Sequence, residues 1–290
     1  MSDAGLPAPG RFPDRAARAG FTLIELLVAM ALMGVVLLAV SNFFTQGSRV
    51  SSQSNSRSEL QQDILTAQQV IAGRLREAYY VYPPGTLVSL PTLPGHPTTN
   101  PLQAGTSWTV DTHSILAMIL PPAAGTADYR FFAYYPVLRS TWVSQTSDLN
   151  LRAKNPGADG ANASAWVLAE YRAPMPGYAP MPFDRSTRRT PAGAADTAAT
   201  LSWPGALAAA STPQANAQVN LVADYLRPVA AGSPALFTYS TQSVQGAAGT
   251  MQVVTGVTLN LNGQRQRGGL VKVETAMAVS PPNVGKVPKL

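Results

Sequence analysis

The sequence predicts an α+β fold: a long N-terminal helix, membrane-spanning in its first half and amphipathic in its second, packed on an antiparallel β-sheet head. Three observations predict it. No proline interrupts the chain between Phe21 and Ala78, and one helix over that length would be about 87 Å long at 1.5 Å per residue. The opening part is apolar all round as far as Val40, whereas Leu60, Ile64, Ala67, Ile71, Leu75 and Ala78 recur at three- and four-residue spacing, the stripe of a helix docked by one face. Near the C-terminus Met251, Val253, Val257, Leu259 and Leu261 alternate with Gln252, Gly256, Thr258, Asn260 and Asn262, the period of a half-buried strand.

Each part of the helix has its own reason. Arg11, Arg15 and Arg18 precede the apolar run and no Lys or Arg follows Val40 closely, so the positive-inside rule places the start of the chain in the cytoplasm and the remainder outside. Glu25 is the one charge between Phe21 and Val40. A carboxylate at the centre of a span costs about 2.5–3.5 kcal/mol on insertion scales, so it calls for a partner and a role. Its place in the first turns of the helix, at the positive end of the dipole, meets part of that cost. An α-ammonium group created by a cut between Gly20 and Phe21 would meet more. A secretory signal peptide, with Ala39-Val40-Ser41 as its cleavage site, explains the basic start but not a glutamate in the apolar segment. A plain single-span anchor leaves the order Gly20-Phe21-Thr22-Leu23-Ile24-Glu25 unexplained, and a core helix of a small domain fits poorly with so long an apolar run.

The stretch from Gly20 to Met30 resembles the class III signal of type IV pilins and type II secretion pseudopilins. In that family a prepilin peptidase cuts after the glycine and methylates the new amino terminus, and the glutamate pairs with the terminus of a neighbouring subunit. The resemblance makes Gly20 the residue before the cut, Phe21 the N-methylated first residue and Glu25 the assembly carboxylate. It implies a pilin-like fold, an inner-membrane location with the head outside the cytoplasm, and prepilin peptidase and other pilins as partners. Two features depart from many members: Asn42 stands where a helix proline is common, and the cysteine pair of many major pilins is missing, since the chain has no cysteine.

The expected domains are a leader at 1–20, the long helix at 21–78 with 21–42 in the membrane or filament core, a head at 79–280 with loop insertions at 83–106 and 173–218, and a loose tail at 281–290. Thr45 to Glu59 is polar on every side and contains Gly47, so the helix is expected to bend or loosen there. Pro83-Pro84-Gly85 stop it. Ser114 to Leu120, Tyr129 to Leu138, Trp166 to Tyr171 and Ala235 to Ser240 read as strands. Val219, Val222 and Leu226 suggest a helical turn. Met251 to Leu261 and Leu270 to Val279 read as one hairpin, its connection bracketed by Asn262-Gly263 and Gly268-Gly269. Head size, a late hairpin and the order of the strands resemble the larger minor pilins of the PilW type and the J-type pseudopilins.

Chemistry in the head is sparse. Charged residues make up 12% of the chain, Pro and Gly number 25 and 23, and the formal net charge is +6. His96 and His113 without cysteine leave little for a metal site, and no cofactor is expected. Asp111, His113 and Ser114 have the residue types of a hydrolase triad, but neighbours on a strand point to opposite faces and a turn accounts for them. Asn155, Asp159 and Asn162 lack the terminal acid of a calcium loop and read as turn residues. Asn162-Ala163-Ser164 fits a glycosylation sequon. Arg185, Arg188 and Arg189, with Arg265 and Arg267, are the candidate contacts for DNA. The sequence therefore predicts a structural subunit of a type IV pilus or secretion pseudopilus and no enzyme, the alternative being a receptor that binds DNA or surfaces through its head.

Overall fold

The computed structural model describes residues 22–78, 80–91, 95–103, 105–124, 126, 129–146, 155–175, 217–229, 235–246, 249–267 and 269–281. The chain forms two compact units, residues 1–50 and 51–290. One helix, α1 (Leu23–Glu77), contributes to both. The polar run from Thr45 to Glu59 leaves it unbroken, contrary to the loosening expected there. Serine and threonine in this run keep helical geometry, as in Thr45, whose hydroxyl bonds back to the Ser41 carbonyl at 2.9 Å.

Among the described residues the second unit builds three antiparallel sheets. Twelve strands supply them: β1 (Tyr80–Val81), β2 (Leu87–Ser89), β3 (Ser107–Thr109), β4 (Leu116–Leu120), β5 (Tyr129–Leu138), β6 (Trp166–Met175), β7 (Gln218–Leu226), β8 (Phe237–Gly246), β9 (Gly249–Leu259), β10 (Gly263–Gln266), β11 (Leu270–Val273) and β12 (Met277–Val279). A short helix, α2 (Arg139–Gln145), follows β5 directly. The large sheet runs β1-β4-β5-β6-β7-β10-β11, a second runs β12-β9-β8, and β2 pairs with β3.

The large sheet is buried on both faces, which is why β4 and β5 read as continuous apolar runs. Leu116, Met118, Leu120, Phe132, Tyr134, Trp166 and Leu168 face the stripe of α1 and the second sheet, with Val254, Val257 and Leu259. Their neighbours Ala117, Ile119, Phe131, Ala133, Tyr135, Val167 and Ala169 face a second core roofed by Val88 and Trp108. The expected stripe, Leu60, Ile64, Ala67, Ile71, Leu75 and Ala78, is buried at every position. Gln68 beside it donates to the Leu259 carbonyl at 3.1 Å, tying the helix to the second sheet. Glycine is required at one point of this contact: a Cβ on Gly263 would lie 2.5 Å from Ile64 Cδ1 and 2.9 Å from Leu60.

Several expectations are corrected. The helix ends at Glu77, before the double proline, because Tyr80 and Val81 pair with Ile119 and Met118. The span 83–106 is not loop throughout, since β2 lies within it and its Val88 stands opposite Trp108. Residues 219–226 form β7, not a helical turn. Two register shifts against β6 put extra residues into β7, so Val219 faces the second core while Ala223 and Leu226 face the first, and bulges of this kind imitate helical spacing. Tyr225 takes φ +58° there. The late hairpin is divided: β10 pairs with β11 at the end of the large sheet, and β12 alone returns to β9. Thr275 holds the crossing, its hydroxyl donating to the Leu261 carbonyl at 2.8 Å and its amide to Asn262 Oδ1 at 3.3 Å. Of the insertion expected at 173–218, β6 occupies the start as far as Met175, β7 begins at Gln218, and 176–216 lie outside the described residues, as do 1–21 and 282–290.

Candidate functional site

The start of α1 is locked by two side chains. The Thr22 hydroxyl accepts the Glu25 amide at 3.3 Å, while Glu25 Oε2 accepts both the Thr22 amide and the Thr22 hydroxyl at 3.1 Å. Leu26 N then bonds to the Thr22 carbonyl at 3.2 Å, closing the first turn. This is a capping box, in which Thr22 and Glu25 satisfy donors that a helix otherwise leaves open. In hydrocarbon an open donor costs several kcal/mol. Glu25 therefore has a local task besides any intermolecular one. The signal was present in the sequence as Thr-x-x-Glu ahead of an apolar run, and the charge argument alone passed over it.

Beyond the cap every residue from Thr22 to Val50 is exposed. Leu23 is 80% and Met30 68% accessible, and such a surface is not stable in water. By length and composition α1 is the one described helix able to cross a membrane. The apolar character continues past Val40 with Phe43 and Phe44, whose rings meet edge to face at 6.3 Å.

The family described as the prokaryotic N-terminal methylation motif matches residues 15–41. That range contains Gly20, Phe21 and Glu25. A pilin-like protein of Thermus thermophilus, PilA3, is 41% identical over 59 residues. The N-terminal segment is thus similar to that of a pilin-like protein. The aligned stretch is 20% of this chain and 25% of the relative, so the chain matches about a quarter of the length of that relative. No solved structure matches.

Gly20 and Phe21 lie outside the described residues, as do Arg185, Arg188 and Arg189. Arg265 and Arg267 are described and both turn to Glu59 of α1, at 3.2 and 3.7 Å. Arg265 also stacks on Tyr225, 4.5 Å from the ring centroid, and Arg139 lies 4.8 Å from the same centroid. Arg139 is buried and pairs with Asp224 at 2.9 and 3.2 Å. Nothing in the sequence spacing marks this ion pair, which joins α2 to β7.

The other candidate residues prove to be structural. His113 Nδ1 accepts the Thr109 amide at 2.7 Å in the turn at Asp111, which takes φ +73°, and burial lowers the His113 pKa. Ser114 Oγ instead accepts the Leu236 amide at 3.4 Å, so the three groups of the triad reading do not converge. His96 is half-buried. Asn155 donates to the Val143 and Thr146 carbonyls. Asn162 is buried and grips the Gln266 backbone, accepting its amide at 2.7 Å and donating to its carbonyl at 3.2 Å. An asparagine held this way is closed to a glycan. Asp159 accepts from Asn162 at 2.8 Å and from the Tyr225 hydroxyl at 3.2 Å. Burial acts to raise its pKa, but these bonds and Arg139 prevail and lower it. Among the described residues no group of three acids, histidines or cysteines could hold a metal ion.

Proposed function

We propose that this chain is a minor pilin or pseudopilin, a structural subunit that works by assembly and not by turnover. It enters the inner membrane with its first residues in the cytoplasm and its head outside. Prepilin peptidase cuts between Gly20 and Phe21 and methylates Phe21, and residues 21–42 join the filament core. Residues 1–20 are then the leader, 21–78 the helix, 79–280 the head and 281–290 the tail. The size of the head supports a place among the PilW-type minor pilins or the J-type pseudopilins.

One observation carries this reading: Glu25 is the lone charge between Thr22 and Ser48, in a helix half exposed along its whole length and inside an N-terminal methylation motif. Lateral association in the bilayer would bring Glu25 to the Phe21 ammonium of a neighbouring copy, and low dielectric makes that pairing strong enough to set the axial register. The receptor alternative draws on arginines of which two, Arg265 and Arg267, are engaged by Glu59, and among the described residues no geometry favours it.

The capping box sharpens the experiment. Glutamine serves at the third position of such a box as glutamate does, so Glu25→Gln keeps the helix start and removes only the charge. Immunoblotting of sheared or cross-linked filaments should show Glu25→Gln stable in the membrane but depleted from the filament fraction. Incorporation at the wild-type level would overturn the proposal.

A further inference from the structure

The second sheet ends on an open strand. β8 pairs with β9, and among the described residues no strand pairs with its other side. Natural sheets protect such edges with charges, prolines or short length. The other edges of this head follow that rule. β1 is two residues long and precedes Pro83, β12 is three residues long and precedes Pro281, and β11 carries Lys272. β8 breaks it at full length, since residues 237–259 contain no Asp, Glu, Lys, Arg, His or Pro.

Along β8 the side chains of Ser240, Thr241, Gln242 and Ser243 are exposed in succession. Successive residues point to opposite faces of a strand, so this part of β8 stands clear of both cores. It is held to β9 by the ladder and by local bonds, Gln252 Nε2 to Ser243 Oγ at 3.0 Å and Thr255 Oγ1 to the Ser240 carbonyl at 3.1 Å. A two-stranded ribbon is marginal in water, and a third strand stabilises it.

We propose that the outer edge of β8 is a docking strand that pairs antiparallel with β8 of a second copy of this chain. Lack of charge selects that occupant. In a two-fold pair each strand meets its own sequence reversed, and like charges set opposite each other destabilise the pairing. Ser240-Thr241-Gln242-Ser243 offers hydroxyls and an amide to itself with no such repulsion. A charged partner strand would find no countercharge on β8. The inference goes beyond the assembly role and does not rest on processing at Gly20.

The chain has no cysteine, so Ser240→Cys, Thr241→Cys, Gln242→Cys and Ser243→Cys each introduce a sole thiol. Mild oxidation of the full-length variants in membranes should give a covalent dimer that peaks at one position and falls on either side, because only residues near the two-fold axis bring their Cα atoms within disulfide reach. The exposed helix control Thr66→Cys should stay monomeric. Adding Thr241→Lys to the best variant among positions 240, 242 and 243 should lower the dimer about two- to fivefold, the effect of like charges opposed across paired strands. Mixing that chain with one carrying Thr241→Glu should restore it, and an unchanged thermal melt checks that each head is folded. Equal yields at all five positions, cross-links only to a different protein, or indifference to Thr241→Lys would overturn the proposal, with or without prepilin peptidase in the cells.

Discussion

The two halves of α1 share one unbroken backbone and differ in what their side chains meet. From Leu23 to Val50 everything is exposed, and the apolar surface is supplied to a solvent or partner outside the chain. From Ser51 to Glu77 one face is buried against the head's own sheets, with Leu60, Ile64, Ile71 and Leu75 nearly inaccessible. Hydrophobicity in the first half thus adds nothing to the stability of the single subunit, whereas in the second half it is the core. The exposed apolar surface and the folded core are separated along one helix.

Truncation breaks the comparison most sharply. Ile71→Ala should destabilise the head by about 2–5 kcal/mol, the range for deleting a buried aliphatic side chain, whereas Leu32→Ala should leave the denaturant midpoint of the detergent-solubilised subunit unchanged. The glycines repeat the contrast at smaller amplitude. Gly263→Ala drives a methyl into Ile64 and Leu60 and should cost about 1–3 kcal/mol, as overpacking does. Gly34 has nothing within 4 Å of a built Cβ, so Gly34→Ala should fold as the parent does in the same melt.

The smallest effect concerns the acidic side of α1. The Asp63 pKa is raised by burial first, then by Asp224 and Glu59, with Arg265 opposing. A raised carboxylate pKa means that the ionised form is disfavoured in the fold, so the unfavourable contribution is present at neutral pH and is relieved as pH falls through the folded pKa. Asp63→Asn should therefore raise the melting temperature slightly at neutral pH, and the gain should vanish in acid. A gain that persists in acid would show that charge is not its cause.

Legibility in the sequence followed the same division. The buried stripe was readable residue by residue because a helix docked on one face must repeat every three or four positions. β4 and β5 were readable as runs because both faces of their sheet are covered. β7 was not, since its bulges gave Val219, Val222 and Leu226 the spacing of a helix. The late hairpin was half readable: alternation identified β9, but it could not show that β10 and β11 leave for the other sheet between Leu261 and Thr275. α2 carried no signal beyond Trp142, and its buried Arg139 depends on Asp224, which lies far along the chain. At the candidate site the charge of Glu25 was legible and its cap was overlooked, because the cap and the proposed pairing fall on one glutamate and sequence spacing does not separate them.

That residues 21–42 are the processed start of the helix proposed to form the filament core is tested most directly by the intact mass of the chain extracted from its cells. The predicted result is a chain beginning at Phe21 with one methyl group on its amino nitrogen. A chain in assembled filaments that still carries residues 1–20, or an unmethylated start elsewhere, would contradict it.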